Sequence, residues 1–378
     1  MQVKNRPAFG FPACIGKGLD RVKRSGITTL SIAATYIGVV VGAGFATGQE
    51  ILQFFAKFGS MGILGLALAT ILFIIYGYMI MDLGSRLNAR SHLEITRYSG
   101  GRIAGPLMDG LITFFLFGSL SAMMAGTGAI VRQQLNFPGL LGNLLMCALT
   151  AATVLRGITG IVSSISFVVP FLLLSVTGIS VFSILHTPPV LTGPAFHTEE
   201  TGLVAHWLTA SVLYVSYNTT ISIAVLGPLG AAARNKKIIK NGVILGGMGL
   251  GAACLLIFLA LAGSYSEISV LEAPMLCLAG HISPPVKTIY SIILIAEIYT
   301  TAVGSLYGFV SRITARANPP LGRKPVIAVS AAAALLASLL GFSNLVKYLY
   351  PLVGYGGILL LACLAYSHCT GRGGRYTR

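Results

Sequence analysis

Apolar positions dominate this chain in long runs, separated by short polar stretches. The runs fall at 27–56, 61–84, 106–132, 138–155, 157–185, 203–233, 238–263, 285–312, 325–341 and 344–367. None alternates with a period of two, as the strands of a membrane β-barrel do. Crossing about 30 Å of hydrocarbon takes roughly 20 apolar residues as a helix. The backbone must satisfy itself there, which leaves helices as the consistent reading. The pattern therefore predicts an all-α polytopic membrane protein with ten transmembrane helices, spans 1 to 10.

The polar stretches refine this layout. "SRLNARSHLEITRYSGGR" within 85–105 predicts a surface helix, and the Pro-rich "HTPPVLTGPAFHTEE" within 186–202 predicts a loop on the opposite side. Residues 264–284 are semi-polar and predict a short helix or hairpin on that same outer side. Placing the N-terminus in the cytoplasm and alternating sides puts all but four of the 26 Lys and Arg residues inside; the exceptions are Lys57, Arg132, Lys287 and Lys347. One span more or fewer would scramble that asymmetry. The positive-inside rule thus supports ten spans with both termini cytoplasmic. Composition agrees: 55% of residues are hydrophobic and 10% charged, against about a quarter charged in soluble domains. The net charge of +16 sits in short clusters between apolar runs, which excludes nucleic acid as a partner. The lipid bilayer and a small-molecule substrate are the expected partners, with the chain a monomer or homodimer.

Ten spans divide into five and five, and an odd number per half forces opposite orientations. This is the inverted repeat of many secondary transporters. The expected organisation is a basic tail (1–26), a first five-helix repeat (27–186), an outer loop (187–202), a second repeat (203–367) and a basic tail (368–378). Spans 1 and 6 both carry small and polar residues in mid-run, "GAGFATG" and "VSYNTTIS". Both are therefore expected to be broken helices. Exposed backbone in a broken helix is tolerated only against protein or a wet cavity. Its N–H end suits a carboxylate and its C=O end an ammonium or cation, so paired breaks suit a zwitterion.

Two further features carry chemistry. In span 8, Glu297, Thr300 and Thr301 stand at i, i+3 and i+4 and share one helix face. A carboxylate and two hydroxyls are hard oxygen ligands for Na⁺, or a site for a proton. An ionisable residue in mid-span costs about 2.5–3.5 kcal/mol on insertion scales, which argues for a function. Glu50, just after the first break, is read either as a gate paired with Lys347 or as a structurally bonded carboxylate. Asp82 and Asp109, near the inner surface, are expected to be solvated or paired with arginines. The cysteines are read as small core residues, with neither a zinc site nor a disulfide framework, and the histidines are given no role. No hydrolase, zincin or phosphate-loop pattern stands in a credible context, so no enzyme and no cofactor is expected beyond Na⁺ or H⁺ as coupling ion.

"GAGFATGQEILQFFAKFG" and "AEIYTTAVG" resemble signature segments of the YkvI-like bacterial membrane proteins, a family grouped with amino acid permeases of the amino acid–polyamine–organocation superfamily and its LeuT fold. The resemblance extends over essentially all ten spans. It implies a substrate site between spans 1, 3, 6 and 8, here Gly42, Gly44, Phe45, Ala46 and Thr47, Ser121 and Met124, and Tyr217, Asn218 and Thr219. It also implies a sodium site formed by the carbonyls of Gly38 and Val41 with Thr300 and Thr301. Glu297, one turn earlier, keeps proton coupling open. The implied activity is alternating-access transport of an amino acid or related amine, and the implied location is a bacterial cell membrane. The rival is a ligand-binding sensor on the same fold.

Overall fold

The computed structural model describes residues 27–89, 91–156, 161–192, 203–233, 235–316 and 322–370. Both expected basic tails (1–26 and 368–378, the latter beyond Thr370) and most of the outer loop at 187–202 lie outside the described residues. All of its regular structure is helical. Eight segments are long and apolar enough to cross a membrane, a count that covers the described residues only.

Helix α1 (Thr29–Val40) starts on a capping box, in which Thr28 and Ser31 each bond the other's backbone N–H. It stops at Val41 and Gly42, whose backbones are extended (φ/ψ −74/105° and −124/−169°). The chain then re-enters helix as α2 (Ala43–Ala46). It turns through left-handed Gly48 (φ 80°) into α3 (Gln49–Phe54). The break expected from "GAGFATG" is therefore present. The remaining elements are α4 (Ser60–Leu87), α5 (His92–Leu135), α6 (Gly139–Arg156), α7 (Ile161–His186), α8 (Trp207–Ala233), α9 (Lys236–Gly263), α10 (Tyr265–Ile268), α11 (Pro274–Ile282), α12 (Pro284–Arg316), α13 (Arg323–Ser338), α14 (Phe342–Asn344), a π turn (Leu345–Leu349) and α15 (Tyr350–Thr370). Within α5, the predicted surface helix joins span 3 through a kink at Gly101 (φ 61°).

Span 6 differs from its expectation: α8 runs unbroken from Trp207 to Ala233. The polar residues that suggested a break are satisfied without one. Asn218 donates to Tyr214 O (3.0 Å), Thr220 to Ser216 O (2.9 Å) and Ser216 to Gly354 O of α15 (2.6 Å). Back-bonding of this kind lets hydroxyl and amide side chains sit in a buried helix without freeing its backbone.

Helices α5 and α8 are the most enclosed, while α4, α6 and α7 expose much of their apolar surface, as lipid-facing helices do. Helix α8 packs on α4 at backbone contact. A Cβ at Gly84 would strike the Gly227 carbonyl, and one at Gly230 would strike that of Met81. Small residues at such a crossing let two membrane helices approach closely. Near the polar end of the bundle, Arg312 of α12 bonds Asp109 of α5 and contacts His92 at 2.7 Å. Asp82 is buried and pairs with Arg86 at 2.6 Å. Both aspartates are thus paired, and Asp82 is not solvated.

Candidate functional site at the helix break

The first turn of α2 has N–H groups without helical acceptors, the usual state of a helix start. No side chain caps Gly42. What lies beside the break is the protein's own carboxylate. Glu50, in the first turn of α3, folds back so that its carboxylate fills the space where a Cβ at Gly44 would stand. Glycine at 44 is required for that reason. Tyr217 of α8 donates to Glu50 Oε2 at 2.6 Å, and both side chains are buried.

An aromatic wall surrounds this pair. The Tyr217 ring lies 5.1 Å from Tyr350, 5.6 Å from Phe54 and from Tyr214, and 6.1 Å from Phe115, between ring centroids. These residues come from α3, α5, α8 and α15. The far side of the break is tied to α12 by Tyr290, whose hydroxyl donates to Ala46 O. Met275 N–H of α11 donates to Thr47 O at 3.0 Å. Gln49 donates to Ser343 Oγ (2.9 Å), while its buried Oε1 has no partner.

Among the residues predicted for substrate, Gly44, Phe45, Ala46, Thr47 and Tyr217 gather at this break. Gly42 caps α2, and Thr47 Oγ1 donates to Gly44 O (3.1 Å). Asn218 and Ser121 are buried but spend their side chains on Tyr214 O and Phe117 O. Met124 and Thr219 are buried. The Glu50–Lys347 pair is absent: Lys347 is exposed and lies over the Tyr348 ring, and Glu50 bonds Tyr217 instead.

On α12, Thr300 Oγ1 donates to Glu297 O (2.9 Å), and Thr301 stands one helical turn from Glu297 on the same face. Glu297 Oε2 is buried and has no hydrogen-bond partner. Gly38 faces Val169 of α7, and Val41 is buried at the end of α1. The structure shows no hydrogen bond from either residue to Thr300 or Thr301.

The comparisons with known proteins agree with this architecture. No family model matches the chain. The chain is 30% identical over 341 residues to the Bacillus subtilis protein "Uncharacterized membrane protein YkvI", covering 88% of this chain and 94% of that one. It belongs to the YkvI family. A second B. subtilis relative, "Uncharacterized protein YyaD", is 28% identical over 332 residues, covering 87% and 93%. Among solved structures, inward-facing Mhp1 (TM-score 0.63, 14% identity, 91% of this chain and 77% of that one) shares the fold. So does MhsT in complex with L-phenylalanine (0.63, 15%, 90% and 89%). A Na⁺-coupled sialic acid symporter in a substrate-bound outward-open state is similar at 0.58 (14%, 98% and 93%). The YkvI family member described here thus has the LeuT fold.

Sequence reasoning missed two features: the Glu50–Tyr217 contact, which joins residues 167 apart, and the cluster of Glu267, Cys277 and His281. The second had a legible signal. Cys277 and His281 stand one helical turn apart, a spacing at odds with reading every cysteine as a core residue.

Proposed function

We propose that this protein is a secondary active transporter of a small organic solute carrying a protonated amine, an amine or an amino acid, driven by Na⁺ or H⁺ through alternating access. The observation that carries the proposal is the Glu50 carboxylate at the helix break, hydrogen-bonded by Tyr217 within an aromatic wall. The N–H end of the broken helix, near Ala46, was expected to receive a substrate carboxylate. Glu50 already fills that place with an acidic group of the protein's own, so the group left for the substrate to supply is a cationic hydrogen-bond donor. A buried carboxylate is costly unless paired, and aromatic faces add attraction for an ammonium. Glu297, Thr300 and Thr301 form the coupling site: the unpartnered Glu297 oxygen and two adjacent hydroxyls are hard donors suited to Na⁺ or a proton. The sodium-coupled neighbour and the amino acid bound to MhsT are consistent with both halves of this reading.

Purified protein in proteoliposomes tests it. Saturable, ion-gradient-driven uptake of an amine or amino acid is the expected result. Saturable binding with neither uptake nor counterflow would overturn it in favour of a sensor.

A further inference from the structure

A second polar cluster lies away from the break, on the hairpin of α10 and α11. Pro274 occupies the first turn of α11, where a fixed φ favours helix and no N–H is needed. Met275, Leu276, Leu278 and Ala279 are buried, so that face of α11 holds the helix against the bundle. Cys277 and His281, at i and i+4, share the more open face. Glu267 arrives from α10 across the turn. The distances are 3.2 Å from His281 Nε2 to Glu267 Oε1, 3.5 Å from Cys277 Sγ to Glu267 Oε1, and 3.9 Å from Cys277 Sγ to His281 Nε2.

These separations match the edges of a metal tetrahedron. With Zn–S near 2.3 Å and Zn–N or Zn–O near 2.0–2.1 Å, tetrahedral donors stand about 3.3–3.6 Å apart. The three atoms form one face of such a site, and small side-chain rotations close the longest edge. A thiolate, an imidazole and a carboxylate are a zinc-type donor set; Ca²⁺ and Mg²⁺ take oxygen donors instead. All three residues line a cavity of about 660 Å³ that also includes Gln134 and Thr288. Gln134 donates to Thr288 (3.2 Å), and its amide oxygen has no partner. The cavity leaves a fourth coordination position open to water or a ligand. Lys287, on its rim, points its ammonium to Gln133 O (3.4 Å). Hydrogen bonds alone account for the contacts of Glu267 with each neighbour. They do not account for a thiol, an imidazole and a carboxylate converging on one point from two helices.

We propose that Glu267, Cys277 and His281 bind a single borderline-soft divalent metal ion of the Zn²⁺ class, with a fourth position open to the cavity. The site is independent of the transporter reading.

The test uses the full-length protein in detergent, titrated with Co²⁺ and then with Zn²⁺. The expected result is one equivalent of Co²⁺ giving a thiolate charge-transfer band and the intense visible bands of tetrahedral cobalt, both removed by Zn²⁺. Cys277→Ser should abolish the charge-transfer band. His281→Ala should weaken binding by more than about 100-fold, since even outer-shell changes cost 10–100-fold. Zn²⁺ should raise the melting temperature of the wild type but not of Cys277→Ser. The melting temperature without metal checks that both variants fold. Absence of a thiolate band, or the same titration for wild type and Cys277→Ser, overturns the proposal.

Discussion

Glu50 and Glu297 are both buried carboxylates in helices of a membrane protein, yet they are held differently. Glu50 receives a phenolic hydrogen bond and sits against a glycine that cannot be larger. Gly44→Ala should displace that carboxylate and mimic Glu50→Gln. Each should weaken binding of an amine substrate about 10–100-fold, the range for a hydrogen bond to a charged group. Isothermal titration with a substrate identified by the uptake screen reads this, and unchanged affinity in Glu50→Gln would remove Glu50 from the site. Tyr217→Phe should act in the same direction and more weakly. Lys57, just beyond the first span, donates to Val204 O at 2.8 Å. Burial, and secondarily the charge of Lys347, pull its pKa down to about 8. The folded chain therefore binds fewer protons than the unfolded one between about 8 and 10, and stability should rise with pH across that window. Amine-reactive labelling of Lys57 should show a midpoint near 8, moving upward in Lys347→Ala. A midpoint at the ordinary lysine value would contradict the contact.

At the scale of elements, the contrast is between spans 1 and 6. Both carry small and polar residues, and only span 1 breaks. Gly42 and Gly44 leave the chain free to extend, and Tyr290 supplies a partner to the re-entering helix. Ser216, Asn218, Thr220 and Ser222 of α8 bond within the helix or to α15, so nothing draws its backbone open there. The helix instead contributes a surface to α4, where Gly84 meets Gly227 O and Gly230 meets Met81 O. Gly230→Val should cost at least about 1–3 kcal/mol, because backbone carbonyls cannot move aside as side chains do. A fall in the detergent melting temperature checks this; unchanged stability would mean that α4 and α8 are not in backbone contact. The break was legible in the glycine pattern. The continuity of α8 was not, because the same letters describe a broken helix and a back-bonded one.

Coupling and orientation are properties of the whole molecule. If Na⁺ binds at α12, changing Thr300 and Thr301 together to Ala should abolish sodium stimulation of uptake. Glu297→Gln should leave sodium-driven uptake partly intact. If a proton on Glu297 drives transport, that variant should instead lose pH-gradient-driven uptake while retaining exchange. Charge asymmetry further predicts that tags on both termini are reached only from the cytoplasmic side of intact cells.

Hydropathy and charge determined that this chain crosses a membrane repeatedly as helices and where most spans begin and end, and the glycine pattern determined that span 1 breaks near Gly42. These are local consequences: each segment must satisfy its own backbone in hydrocarbon, and loop charge selects the side. Only the tertiary structure decided that Glu50 turns inward to Tyr217 rather than outward to Lys347. It alone kept α8 whole, and it brought Glu267 to Cys277 and His281. The reason is physical: side-chain partners are chosen by packing, which for Glu50 reaches across 167 residues to Tyr217, and which brings Glu267 to Cys277 only through the turn between α10 and α11.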